Sequence, residues 1–344
     1  MKLSLLSKYR TELMGIAIMY VCLFHMCDLM SMNRIFYYGY MGVDIFLLLS
    51  GMGLFFSWEK NNNIKEFYVK RVERVLPAYL IIASLYIMFL AVFEKTIGLK
   101  WSIYILTSIN FWAYGDSIFW YIPAIIVLYF LFPFFIKLLK NEKTKNRNLI
   151  LGIVVFYILA IILGFSKYDY LLVFLTRVPI FILGIYIGKL MKNRDEEING
   201  KLMSILFCIG VFILYIISNM SKEEFINKIG TKWTILLIVI LPLCFFIGYL
   251  IEKLEKNYMV KNLNKVLIFF GEHSLEIYLV HVLIFRFDKS FQKILMLEEK
   301  FNELRILIYM IVIIVIALVM NKMIEKINKK LNIIIKKFNK QEDF

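Results

Sequence analysis

This chain has little side-chain chemistry to offer. Among 344 residues there are three histidines and four cysteines. Cys22, Cys27, Cys208 and Cys244 all fall in or beside apolar runs, with no metal-ligand spacing. They read as small apolar packing residues. With no zinc-type Cys/His pattern, no metal is expected. There is no Gly/Ser-rich linker and no fixed-period repeat, so the chain reads as one domain over 1–325 and a basic tail over 326–344. No soluble catalytic module is expected beside it. Acidic residues are scarce, 26 against 41 basic ones, and the net charge is +15.

What is abundant is apolar surface. The chain is 61% hydrophobic with a mean hydropathy of +0.73, well beyond the roughly 45–50% of a soluble domain. Apolar runs recur at the length a helix needs to cross a ~30 Å hydrocarbon core. They lie at 12–31, 38–58, 76–93, 118–139, 148–165, 171–190, 202–219, 232–252, 265–286 and 304–323. The fold class is therefore an all-α integral membrane protein with about ten transmembrane helices. The first run is too long and too continuous with the rest to read as a cleaved signal peptide.

In a soluble chain the net charge would suggest nucleic acid; here no nucleic-acid partner is expected. The basic residues sit between the spans, the mark of loops held on the cytoplasmic side. They are Lys2, Lys8 and Arg10; Lys60, Lys65, Lys70, Arg71 and Arg74; Lys137, Lys140, Lys143, Lys145 and Arg147; Lys189, Lys192, Arg194 and Lys201; Lys253, Lys256, Lys261 and Lys265; and Lys322 to Lys337 in the tail. Counting ten spans puts all of these on one side and both termini in the cytoplasm. The opposite loops carry few or balanced charges: Asp28 and Arg34, Glu94 and Lys95, Lys167 and Asp169. Residues 101–114 are apolar, short and rich in Trp and Tyr. They read as an interfacial or re-entrant segment, since a further crossing would put 137–147 outside. The tail alternates Lys with apolar residues and reads as an amphipathic helix on the inner leaflet. Heavy use of Ile, Lys and Asn fits an AT-rich bacterial genome, and hence a multi-pass protein of the bacterial plasma (inner) membrane. Lipids are partners by default, and a homo-oligomer stays open.

Ionisable residues inside apolar spans are costly and are functional candidates. His25 lies near the outer end of span one and Asp44 about as far into span two. At 1.5 Å per residue they share a depth. His281 sits in the outer half of span nine. A histidine has the near-neutral pKa a general base needs, and an aspartate beside it can fix its tautomer. Each also has a plainer reading: a histidine can bond across helices, and Asp44 can cap its helix or neutralise an arginine. Arg177, several residues deep in span six, needs an anion or a wet cavity. It could line an acyl-donor channel or pair with Asp44 or Glu12. Arg71 and Arg74 are i, i+3 neighbours before Pro77, which is read as opening span three. Paired guanidiniums at the inner mouth suit phosphates.

Four stretches carry a resemblance. They are Met14-Gly-Ile-Ala-Ile-Met-Tyr-Val-Cys-Leu-Phe-His25, Gly39-Tyr-Met-Gly-Val-Asp44 leading to Ser50-Gly51, Phe67-Tyr-Val-Lys70-Arg71-Val-Glu-Arg74-Val-Leu-Pro77-Ala-Tyr79, and Ser274-Leu-Glu-Ile-Tyr278-Leu-Val-His281. Weaker matches run from Phe119-Trp120-Tyr121 to Tyr129 and Pro133, and from Arg177 to Gly184. In order and spacing they resemble the membrane acyltransferase-3 family of bacterial O-acyltransferases, over nearly the whole chain. That family carries an arginine with ten residues between it and the span-one histidine. Met14 stands there in this chain, and Arg10 lies one turn earlier on the same face.

The resemblance implies transfer of an acyl group, commonly acetyl, from acetyl-CoA or another acyl-CoA. The acceptor would be a hydroxyl of a cell-surface or lipid-linked polysaccharide outside the membrane. His25, Asp44 and His281 are the expected catalytic residues. Arg10, Lys70, Arg71, Arg74 and Arg177 are expected at the donor, and Trp120, Tyr121 and Tyr278 at the substrate. Two other readings fit the same polar residues: a transporter or flippase of a lipid-linked sugar or polar solute, and a non-catalytic scaffold of polysaccharide assembly. The absence of an inverted repeat disfavours the transporter.

Overall fold

The computed structural model describes residues 2–30, 34–95, 97–193, 197–220, 224–294 and 302–342. Arg194 lies outside the described residues, as do the side chains of Asp28, Arg34, Lys336 and Lys337. Among the described residues there are helices and no strand. The long ones are α1 (Arg10–Met30), α2 (Met41–Lys60), α3 (Ile64–Phe89), α4 (Tyr121–Leu138), α5 (Lys145–Gly164), α6 (Val178–Asn193), α7 (Gly200–Met220), α8 (Leu236–Leu254), α9 (Tyr258–Glu272), α10 (Ser274–Arg286) and α11 (Asn302–Glu342). Among the described residues nine stretches are long and apolar enough to cross a membrane, and α9 with α10 would make a tenth. The protein is an all-α, multi-pass membrane protein, as its composition predicts.

Two spans differ from the hydropathy reading. The third helix begins at Ile64, twelve residues before the expected 76, so Pro77 lies inside α3. Charges at 65–74 mask this helical start in a hydropathy average. Asn63 nevertheless caps it: its side chain accepts from the Glu66 N–H at 3.2 Å. The ninth span is not straight. α9 and α10 meet at a 72° bend, where three polar residues, Glu272, His273 and Ser274, run together. His273 turns its Nδ1 back onto the Phe269 carbonyl at 2.9 Å, so a side chain serves the end of α9. At 13 residues, α10 is about 20 Å long and reaches only partway across.

Residues 101–114 form two short helices, Leu99–Leu106 and Ile109–Tyr114, joined at Ser108 with φ +59°. Neither is long enough to cross. The tail expected from 326 is helical and continues α11 unbroken to Glu342.

Burial sorts the helices. The stretches containing α2 and α6 are 78% buried, whereas α5 is 17% buried. α2 and α6 are the centre, and the apolar outer faces of α5 and α7 suit lipid. Glycines let the central helices touch backbone to backbone. A Cβ at Gly184 of α6 would strike the Leu48 carbonyl of α2, and one at Gly51 of α2 would strike the Phe181 carbonyl of α6. The pair Gly15 and Gly271 does the same for α1 and α9.

Ion pairs tie the basic segments together at one end of the bundle. Glu142, between α4 and α5, meets Lys145 at 2.8 Å and Lys189 of α6 at 2.7 Å. Hydrogen bonds from these two ammonium groups hold its carboxyl down to about 2. Lys192 of α6 pairs with Glu59 of α2. Lys8 pairs with Glu252 of α8 at 3.2 Å.

Candidate active site

The first span ends where chemistry becomes available. His25, half-buried on the last turns of α1, forms part of the wall of a cavity of about 1070 Å³. That volume exceeds the roughly 300–1,000 Å³ usual for a small-molecule site. Trp120, Arg177 and Tyr278 share the wall with His25.

His281 stands behind His25, with ring centres 5.2 Å apart. It is fully buried. Its Nδ1 lies 3.0 Å from the Ile277 carbonyl. A carbonyl only accepts, so Nδ1 carries the proton and donates. The Nε2 of the neutral ring is then a lone-pair acceptor. It is buried and has no hydrogen-bond partner among the described residues. An unpartnered buried nitrogen is costly, and the ring that carries it neighbours the one histidine on the cavity wall.

Asp44, also fully buried, lies in the first turn of α2. Its ion pair is with Arg177, whose Nε is 3.2 Å from Asp44 Oδ1. Of the two pairings open from the sequence, the structure therefore brings Asp44 to Arg177. Arg177 sits at the break between the short helix Leu172–Leu175 and α6. Its Nη1 donates to the Val173 carbonyl at 2.9 Å. Its guanidinium lies 5.1 Å from the ring centre of Trp120 and 5.6 Å from that of Trp233. A carboxylate, a carbonyl and two indole faces surround this buried charge, although Arg177 Nε and both Asp44 carboxylate oxygens have no hydrogen-bond partner among the described residues.

The other basic candidates gather elsewhere. Arg10 of α1 feels the charges of Arg71 and Arg74, and its Nε donates to the Leu49 carbonyl at 3.3 Å. Arg71 donates from Nη2 to Ser57 Oγ at 2.9 Å, while its Nε is buried without a hydrogen-bond partner. Arg74 pairs with the buried Glu276 of α10 at 3.6 Å. Lys70 is exposed and pairs with Glu66 at 3.5 Å, so it stands apart from the three arginines. Arg10 thus adds a third guanidinium to the Arg71–Arg74 pair, while Arg177 belongs to the cavity.

A file of polar side chains joins the two regions. Tyr129 of α4 senses Arg10, Arg71 and Arg74. Tyr121, two turns earlier, is coupled to Tyr129, Tyr278 and Arg10 and interacts with Ser50. Its ring centre is 5.3 Å from that of Tyr278, which is 5.5 Å from that of His281. Tyr121 is not on the cavity wall; Trp120 and Tyr278 are. Sequence reasoning missed Tyr38, Tyr40, Lys232 and Trp233, which also line the cavity. A Lys-Trp pair at the mouth of span eight was the available signal for the last two.

Comparison with known proteins gives these positions a context. A family model described as an acyltransferase domain matches residues 13–322. The chain is 24% identical over 283 residues to ORF330 of Acidianus two-tailed virus, provisionally named an acetyltransferase. That match covers 79% of this chain and 82% of the viral one. No solved structure matches the chain.

Proposed function

The chain belongs to the acyltransferase-3 family and is a membrane O-acyltransferase, and on that premise we propose that it moves an acetyl group from acetyl-CoA to a hydroxyl of an extracytoplasmic glycan, in the bacterial plasma membrane. The observation that carries the reading is the histidine pair: His25 on the cavity wall, with the tautomer-locked His281 directly behind it.

The chemistry follows from the layout. Arg10, Arg71 and Arg74 offer three guanidiniums to the phosphates of the donor. The pantetheine arm would follow the file Tyr129, Tyr121 and Tyr278 toward the cavity. There the acceptor hydroxyl attacks the thioester carbonyl as His25 takes its proton. The new C–O bond forms, the C–S bond breaks, and the proton passes to the departing thiolate to give free coenzyme A. The Nε2 lone pair of His281 stabilises the imidazolium that exists between those steps. The ion pair of Asp44 with Arg177 holds the Arg177 part of the same wall in place, so the cavity would not reorganise during reaction.

Purified protein in liposomes, supplied with acetyl-CoA and a glycan acceptor, should release one thiol for each ester formed. A transporter would move solute without consuming thioester. Solute movement with no thiol release would overturn the proposal.

A further inference from the structure

The cavity wall carries an excess of positive charge. Among the described residues its charged lining residues are Arg177 and Lys232, and no carboxylate lines it. Asp44 behind the wall neutralises Arg177 at 3.2 Å. Among the described residues nothing equivalent serves Lys232. It is half-buried in the short helix Thr231–Thr234 and forms no ion pair with a described carboxylate. Its Nζ lies 4.7 Å from the Trp233 ring centre, and the charge of Arg177 acts on it. Two cations therefore face one cavity with a single carboxylate between them. Desolvating a second cation beside a first is costly unless an anion arrives.

The rest of the wall is suited to a sugar. Tyr38, Tyr40, Trp120, Tyr215, Trp233 and Tyr278 supply flat apolar faces with polar edges. Ser117, Asn219 and Asn227 add groups that can bond hydroxyls. Such a lining accepts a ring with one apolar face, many hydroxyls and one negative charge.

We propose that the acceptor is an anionic sugar, bearing a carboxylate or a phosphate, and that Lys232 binds that charge while His25 faces the hydroxyl to be acylated. The inference rests on the acyl-transfer reading and adds the acceptor's chemical class. Phosphates of the donor are the rival anion. They are served by Arg10, Arg71 and Arg74, which lie beyond the Tyr129–Tyr121 file.

The test uses the full chain in liposomes with acetyl-CoA and three acceptors: a neutral hexoside, the matching uronate and the matching hexose phosphate. Wild type should prefer at least one charged acceptor over the neutral one by roughly tenfold or more in kcat/KM. That preference should shrink in high salt. Lys232→Gln should abolish it by raising KM for the charged acceptors, with donor KM unchanged, and Lys232→Arg should restore it. The uronate and phosphate arms tell which anion is used. Equal use of all three acceptors by wild type would overturn the inference and leave acyl transfer standing. So would a preference that survives in Lys232→Gln, or a rise in donor KM instead of acceptor KM. Transfer to none of the three, with no thiol released, would overturn the acyl-transfer reading and this inference together.

Discussion

At the scale of single residues, the two buried pairs make different demands. His25 touches the cavity and His281 touches His25, so their roles separate by mutation. His25→Gln should lose about 10²–10⁴-fold in ester formation, the usual worth of a positioned acid–base group, with membrane insertion unchanged. His281→Gln should lose less, since it acts through His25, and should shift the pH profile of kcat. Radiolabelled acetyl transfer in membranes measures both; near-normal transfer by His25→Gln would take it out of the mechanism. The Asp44–Arg177 pair is a matter of stability first. Removing one partner strands a charge in a dry wall at a cost of about 3–5 kcal/mol. Asp44→Asn and Arg177→Met should each lower the melting temperature of the detergent-solubilised protein, and the double variant should melt above either single one. Additive losses in the double variant would show that the pair is not coupled. These four residues were legible in the sequence because each breaks an otherwise apolar run. The pairing of Arg177 with Asp44 was one of the alternatives the sequence offered. That His281, and not Asp44, stands beside His25 was not legible, because side chains from separate spans meet only in three dimensions. Lys232 was missed because a lysine at a span end is ordinarily a topological charge.

At the scale of elements, the close helix contacts and the bend carry the architecture. The mutual contact of Gly184 with Leu48 and of Gly51 with Phe181 leaves no room for a methyl group. Gly184→Ala must push α6 from α2 and should cost about 1–3 kcal/mol. A lowered melting temperature with the same fold by circular dichroism is the expected outcome; an unchanged one would mean the helices yield freely. The bend between α9 and α10 brings Glu276 to Arg74 at 3.6 Å, so a salt bridge joins the donor-side arginines to the helix that carries Tyr278 and His281. Replacing Arg71 and Arg74 together with Gln should raise the KM for acetyl-CoA more than that for acceptor. Unchanged donor dependence at equal expression would assign these arginines to topology alone. Spans of uniform hydropathy were read from the sequence within a few residues. The start of α3 and the break of the ninth span were not, because both lie where charged residues belong to a helix or end one. Averaging over a window cannot tell those cases apart.

At the scale of the molecule, charge and geometry agree on which ends of the helices belong together. The acidic partners Glu59, Glu142 and Glu252 pair with Lys192, Lys145 and Lys189, and Lys8. That brings the start of α1, the ends of α2, α6 and α8, and the link from α4 to α5 to one end of the bundle. At the other end, Arg286 of α10 meets Glu94 just past α3 at 3.0 Å. Short paired helices at 99–114 stay at that far end without crossing, so the count between these points remains even. By the positive-inside rule, the excess of lysine at the first end predicts that it is the cytoplasmic one. On the function proposed above, that orientation would set the three arginines toward an inner donor and turn the His25 cavity toward an outer acceptor. It is testable without any assay of activity. In a variant whose four native cysteines are replaced by Ser, Lys65→Cys or Lys143→Cys should resist a membrane-impermeant maleimide in intact cells and react once the cells are permeabilised. Lys167→Cys, in the link between α5 and α6, should react in intact cells. Labelling of Lys65→Cys or Lys143→Cys from outside would invert the molecule, place the arginines on the wrong face for coenzyme A, and remove the structural basis for an outward-facing acceptor cavity.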